Sequence, residues 1–161
     1  MAEPYHMRRP EKEITDKGEI NQIINEQLFM TLAMCRDNQP YLVTMNYGYD
    51  QDASSFYFHC ANEGKKLDYL QVNPKIWGQI IEDRGYVNGE CSHAYRCIEF
   101  EGIVDFLETF EEKKHALDLI VDQIEPEPKE LKQRMVTESR ISGVTIGRVR
   151  ITSISAKKND S

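Results

Sequence analysis

Tyr41-Leu-Val-Thr-Met-Asn-Tyr-Gly-Tyr-Asp50, followed after a polar turn by Phe56-Tyr-Phe-His-Cys-Ala-Asn-Glu-Gly-Lys-Lys66, is the stretch that decides the fold. Strand periodicity divides the first segment. Tyr41, Val43, Met45, Tyr47 and Tyr49 fall on one face, and Leu42, Thr44, Asn46 and Gly48 on the other. Thr44 and Asn46 are polar residues in a strand that otherwise reads as buried, and buried polar groups need partners. Their face therefore either pairs with a neighbouring strand or meets a polar ligand. The turn at Asp50-Gln-Asp-Ala-Ser54 makes the Tyr41 and Phe56 strands an antiparallel pair. The second strand runs into Gly64, Lys65 and Lys66 at the start of a helix, where backbone N–H groups and ammonium groups together suit a phosphate. A hydrogen-bonding strand beside a phosphate site points to a flat, phosphorylated cofactor with a polar edge.

Working outward, residues 1–13 are polar, contain prolines, and read as an arm. Thr15 or Asp16 caps a helix, with Glu19 in the capping-box position and Ile20, Ile23 and Ile24 as its apolar stripe. A strand follows from about Leu28 to Cys35, then a tight turn in which Asn38 takes a left-handed conformation. The helix from Gly64 ends before Pro74, with Leu67 and Leu70 inward. Ile76 to Ile81 reads as a short strand, Glu82 to Glu90 as a loop, and His93 to Leu107 as a long strand. A helix spans Phe110 to Ile124, a shorter one Glu130 to Val136, and a last strand Val144 to Ile154. Six antiparallel strands with peripheral helices make a small barrel, residues 14–156, with 157–161 as a tail.

Composition narrows the function. A chain of 161 residues fits one domain with a substantial core. The net charge of −7 argues against nucleic-acid or anionic-membrane partners. It also makes Lys65-Lys66 a local reversal of sign. No apolar run is long enough to span a membrane, and Arg8 and Arg9 are not followed by the apolar core of a secretory signal. Four scattered cysteines read as reduced thiols of a cytoplasmic protein. The spacing in Cys91-Ser-His-Ala-Tyr-Arg-Cys97 suits no common zinc motif, so no metal is expected.

The order and spacing of several pieces resemble the FMN-binding split-barrel family, in the branch related to pyridoxamine-phosphate oxidase and the nitroimidazole-resistance (Nim-type) flavoproteins. The pieces are Ile14-Thr-Asp16, Asp37-Asn-Gln-Pro-Tyr41, Met45 to Asp50, Tyr57 to Asp68, Asn73-Pro74 and Tyr95 to Gly102. The resemblance runs from about Arg8 to Ser155. It implies a six-stranded split β-barrel, a homodimer, and FMN held in a groove between subunits. Carried over, it places the phosphate on Gly64, Lys65 and Lys66, and the isoalloxazine ring along Val43, Thr44, Met45 and Asn46. His59 then lies in the flavin wall, where it contacts the cofactor or passes a proton; a structural strand histidine is the competing reading. Arg96 is assigned to phosphate or substrate, with a surface ion pair as its alternative. Cys97 departs from the small hydroxyl residue common in the family.

The implied activity is FMN-dependent oxidoreduction, from a reduced nicotinamide or similar donor to a small planar acceptor such as a nitroaromatic. The alternative is a non-catalytic store or sensor of flavin or a related ligand such as haem, FAD or deazaflavin. Pyridoxamine-phosphate oxidase activity itself is not expected, because the chain ends Ala156-Lys-Lys-Asn-Asp-Ser161 and lacks that enzyme's Arg-Leu-x-Pro ending. There is no Gly-x-Gly-x-x-Gly or Gly-x-Ser-x-Gly motif to support a Rossmann or hydrolase reading.

Overall fold

The structure, a computed structural model, describes residues 7–160. Residues 1–6, where the arm begins, and Ser161 lie outside the described residues. Helix α1 (Lys17–Glu26) leads into strands β1 (Phe29–Arg36), β2 (Gln39–Asn46), β3 (Gly48–Asp50) and β4 (Ser55–Cys60). Helix α2 (Lys65–Val72), the long strands β5 (Lys75–Val87) and β6 (Ser92–Phe106), helices α3 (Phe110–Ile124), α4 (Pro128–Met135) and α5 (Glu138–Gly143), and strand β7 (Thr145–Asn159) follow. The strands form one sheet in the order β2-β1-β5-β6-β7-β4-β3, with every pairing antiparallel.

Seven strands replace the six expected, because the Tyr41–Asp50 segment breaks at Tyr47. Its first part pairs with β1, from Phe29↔Asn46 to Arg36↔Gln39, and only Gly48–Asp50 pairs with β4. The hairpin expected between the Tyr41 and Phe56 strands is therefore three residues long. The two ends of the sheet are consecutive pieces of one bent strand, and this bend curls the sheet into a split barrel. The β1–β2 turn has both Asp37 (φ 50°) and Asn38 (φ 61°) left-handed, the geometry of a tight two-residue hairpin.

The expected loop at 82–90 is largely strand. β5 continues to Val87 and pairs with β6 through Tyr86↔His93 and Val87↔Ser92, with a register shift between Asp83 and Tyr86. Gly85, at φ 94°, absorbs that shift, so the turn residues mark a bulge rather than a strand end. Strand β7 likewise runs on through Lys157 and Lys158 to Asn159, pairing with Cys97, Arg96 and Tyr95, where the sequence reads as the start of a tail. Helix α5 has no counterpart in the sequence reading.

The alternation along β2 is as read, and the Tyr41 face turns inward. Tyr41, Val43, Met45 and Tyr49 pack against the barrel core beside Met30, Leu32, Phe56 and Phe100, and Tyr47 is fully buried. The bend at Tyr47 turns that face into the barrel. Tyr47 donates its hydroxyl hydrogen to the carbonyls of Ile24 (2.6 Å) and Gln27 (3.0 Å), tying the end of α1 to the core. Burial raises its pKa well above the ordinary tyrosine value. Asp16 caps α1 by accepting from the Glu19 N–H at 2.8 Å. Helix α3 lies directly on Gly48, where a Cβ would stand 2.6 Å from the Ile120 nitrogen. Among the described residues no helix is long and apolar enough to cross a membrane.

Candidate cofactor site

Strand β4 is paired on both sides only as far as Tyr57; beyond it, β7 alone accompanies Phe58, His59 and Cys60. Strand β2 is paired on one side, by β1. The split of the barrel is the gap between these two open edges. Strand edges carry unpaired N–H and C=O groups, which can bind a polar ligand edge as readily as another strand. At the mouth of the gap lies a cavity of about 180 Å³ lined by Tyr41, Cys60, Ala61 and the segment Glu63 to Leu67.

Gly64 is the N-cap of α2 at φ 139°, a conformation that side chains rarely adopt, and open space lies where its Cβ would be. No side chain caps the helix, so first-turn N–H groups are left without a protein acceptor. Lys65 Nζ lies 4.4 Å from the Tyr41 ring centre and 5.5 Å from that of Tyr69. Lys66 Nζ lies 5.5 Å from the Phe58 ring centre. Neither lysine forms an ion pair among the described residues. The aromatic faces hold both ammonium groups near the uncapped helix start and leave their N–H donors available. The arrangement suits an anion despite the nearby carboxylate of Glu63.

The other candidates divide. Val43 and Met45 face the core, so their side chains are packing groups. Thr44 is exposed and its hydroxyl pairs with that of Thr31 at 2.8 Å. Asn46 donates from Nδ2 to the Leu28 carbonyl at 2.9 Å. Both polar residues are thus satisfied across the β1–β2 pair, and what β2 offers a ligand is its backbone edge. His59 points away from the barrel core into a cleft beneath α3 and α5, without a hydrogen bond among the described residues. Partial burial, and then the Lys66 charge, lower its pKa below the ordinary histidine value. Cys60 lies between the cleft and the cavity, and burial raises its thiol pKa.

Arg96 does not join this group. Its guanidinium is hydrogen-bonded to the Glu82 carboxylate, reaches Glu26 at 3.3 Å and Gln22 at 3.4 Å, and has Glu19 at 3.7 Å. The residue is buried between α1 and the sheet, and the hydrogen bond to Glu82, with the nearby acids, raises its pKa despite burial. Arg96 is thus ion-paired, but in a buried setting rather than at the surface, with three carboxylates from α1 and β5 converging on it. Tyr41 joins the site although the sequence reading does not name it there. Its signal is present in the sequence: the first aromatic of an edge strand, at the height of the basic helix start.

Comparison with known proteins agrees with this architecture. The family model described as pyridoxamine 5'-phosphate oxidase matches residues 16–158. The chain belongs to that family. The fold is similar to that of a Bacteroides thetaiotaomicron protein named for 5-nitroimidazole antibiotic resistance, with TM-score 0.77 and 28% identity over 91% of this chain and 86% of that one. It is also similar to a flavocytochrome from Azotobacter vinelandii, with TM-score 0.82 and 14% identity over 100% of this chain and 75% of that one. An FAD and haem binding protein from Mycobacterium smegmatis gives TM-score 0.78 and 17% identity over 93% and 74%. In sequence, 52 residues are 38% identical to an uncharacterised protein of Rhizobium meliloti, a match spanning 32% of each chain.

Proposed function

We propose that this member of the family binds FMN as a homodimer and passes electrons from a reduced nicotinamide or similar donor to a small planar acceptor, such as a nitroaromatic. The observation that carries the reading is the uncapped start of α2. Gly64 leaves room there for close approach, and Lys65 and Lys66 stand beside it without carboxylate partners. These residues would hold the phosphate. The open backbone edge of β2 from Val43 to Asn46 would meet the polar edge of the ring. When bound, FMN supplies the capacity to accept a hydride and release electrons singly or in pairs. The chain's own part is to orient the ring and shield it. His59, on the cleft that meets the cavity at Cys60 and Ala61, has its pKa lowered by desolvation and the Lys66 charge, and would hold or pass a proton from there.

The outward face of β1, β2 and β5 supports the dimer reading. Phe29, Leu42, Trp77 and Ile81 are all exposed there, with Trp77 at 52%. Cross-strand register brings Leu42, Ala33 and Trp77 into one row. The polar row Thr44, Thr31 and Gln79 separates these from Phe29 and Ile81, and large apolar side chains left exposed on both sides of it favour an interaction surface. A two-fold contact would bury it twice and wall the open edge of β2. The four free thiols fit a reducing compartment, and we place the protein in the cytoplasm.

A second reading is non-catalytic binding of flavin or haem, favoured by one observation: His59 has no carboxylate beside it to make an acid–base pair. Two measurements separate the readings. The absorption spectrum of the purified protein shows flavin bands or a haem Soret band. Anaerobic mixing with NADH or NADPH in a stopped-flow instrument then bleaches the flavin band if the protein is an oxidoreductase. A flavin that stays oxidised with both donors leaves the binding reading, and a protein with neither spectrum, and no uptake of added FMN, refutes both.

A further inference from the structure

The cleft that receives His59 is much larger than the anion cavity beside it. It measures about 680 Å³, within the range of small-molecule sites. Its walls are aliphatic: Leu117, Val121 and Ile124 from α3, Leu131 and Met135 from α4, and Val144 before β7. No Phe, Tyr or Trp ring and no carboxylate lines it, in a chain with 27 acidic residues. The cleft is also an unfinished interface. Helix α4 has no buried residue, although Leu131 and Met135, four positions apart, both line the cleft. Met135 remains 39% exposed.

The polar groups around these walls are few. Asn62 is already engaged: its Nδ2 donates to the Gly143 carbonyl at 3.2 Å, and its Oδ1 accepts from Thr145 at 2.6 Å. Ser139 Oγ lies 3.4 Å from the Thr137 hydroxyl. Arg140 lines the cleft and makes no ion pair or hydrogen bond among the described residues. Arg140 thus brings one permanent positive charge to an aliphatic space, beside a His59 whose pKa is lowered by desolvation and Lys66. That combination selects sign and shape together: one negative head, and a saturated body long enough to cover α3 and α4.

We propose that the cleft between β4 and helices α3 to α5 is a binding site for an aliphatic monocarboxylate, with its carboxylate at Arg140 and its chain along Leu131, Met135, Ile124 and Val121. The site is separate from the flavin cavity, and the two meet at Cys60 and Ala61. It does not depend on the flavin reading.

Isothermal titration with octanoate and decanoate tests the proposal, with octanol and octylammonium as controls of head charge. Decanoate is expected to bind one to one, roughly tenfold more tightly than octanoate, since each added methylene strengthens burial about three- to fourfold. Octylammonium is expected to bind at least tenfold more weakly than octanoate. Arg140→Gln should weaken decanoate about tenfold and leave octanol unchanged. Met135→Glu, at an exposed position that leaves the fold intact, should weaken decanoate as strongly. Absence of saturable decanoate binding overturns the proposal, as does equal affinity for octylammonium. Binding that both variants leave intact also overturns it, because the ligand would then occupy the outer face around Trp77, whose fluorescence reports that event. Titrations repeated with excess FMN keep the two readings apart: a protein that takes decanoate but no flavin sustains this site and sinks the flavin assignment, and the converse result does the reverse.

Discussion

Replacing Lys65 and Lys66 with alanine tests the anion site directly. Both ammonium groups sit on aromatic faces beside the uncapped start of α2, without a carboxylate partner among the described residues to compete for them. A charge-assisted hydrogen bond is worth roughly 1.5–3 kcal/mol. Lys65 is exposed, so the lower figure applies, and two such contacts give about 3 kcal/mol, or on the order of 100-fold in affinity. FMN should therefore bind the wild-type protein at least about 100-fold more tightly than riboflavin. Each single variant should lose about tenfold for FMN, and the double variant should bring FMN to within about tenfold of the riboflavin value, the remainder coming from the α2 N–H groups. Quenching of flavin fluorescence on titration reads both ligands. Riboflavin is the internal control: it lacks the phosphate, so its affinity should not change. Circular dichroism guards against loss of the Lys65–Tyr41 contact having disturbed the fold. Equal affinity for FMN and riboflavin in the wild-type protein would refute the reasoning, and so would a double variant that weakens both ligands alike.

Trp77→Glu should convert the proposed dimer to monomer and lower its flavin content together, as read by light scattering and absorbance. About half of a tryptophan surface of roughly 200 Å², withdrawn from water twice, is worth about 5 kcal/mol, so a dimer that survives unchanged would place the interface elsewhere. Gly48→Ala should destabilise the fold by about 1–3 kcal/mol in urea unfolding, because the new Cβ meets the α3 backbone at Ile120 and Leu119; an unchanged midpoint would mean that α3 yields freely. Arg96→Met should cost about 2–3 kcal/mol, the partial exposure of Glu26 and Glu82 trimming the full buried-pair figure, while leaving the FMN-to-riboflavin ratio intact. The Arg96 hydrogen bond lowers the Glu82 pKa, so this contribution is complete above the ordinary carboxylate value of 4.5 and fades as pH falls below it. Wild-type melting should therefore drop more steeply than that of Arg96→Met between about pH 5 and pH 3, and parallel curves would remove Glu82 from the account.

Local patterns were legible where one neighbour decides the outcome. The Asp16 cap, the Ile23–Ile24 stripe, the left-handed turn at Asn38 and the span of α3 all depend on residues a few positions away. What the sequence hid depends on distant partners. The break at Tyr47 exists because β2 and β3 pair with different strands, and no alternation pattern records which neighbour a strand will have. The inward aim of Tyr41 to Tyr49 follows from the same bend. Arg96 was ambiguous because its carboxylates come from Glu19, Glu26 and Glu82, far off in the chain and brought together by α1 lying on the sheet. The basic helix start was legible because all of its parts lie within a few residues. The aliphatic cleft was not, because α5, which supplies Arg140, gives too short a periodic signal to read.

Strand β7 is last in chain order, yet it sits between β6 and β4 in the sheet. Its far end also holds the opposite end of the chain: the Ile14 N–H donates to the Ala156 carbonyl at 2.9 Å, and Lys158 meets Glu19 at 3.0 Å. Strand β4, which leads to the lysines, has only three residues of β3 as its other neighbour. On a ribosome, therefore, the Phe58–Cys60 half of β4 has no strand neighbour until about 85 further residues have been made and released. The strand that leads to the anion site is thus completed by one of the last segments to be made.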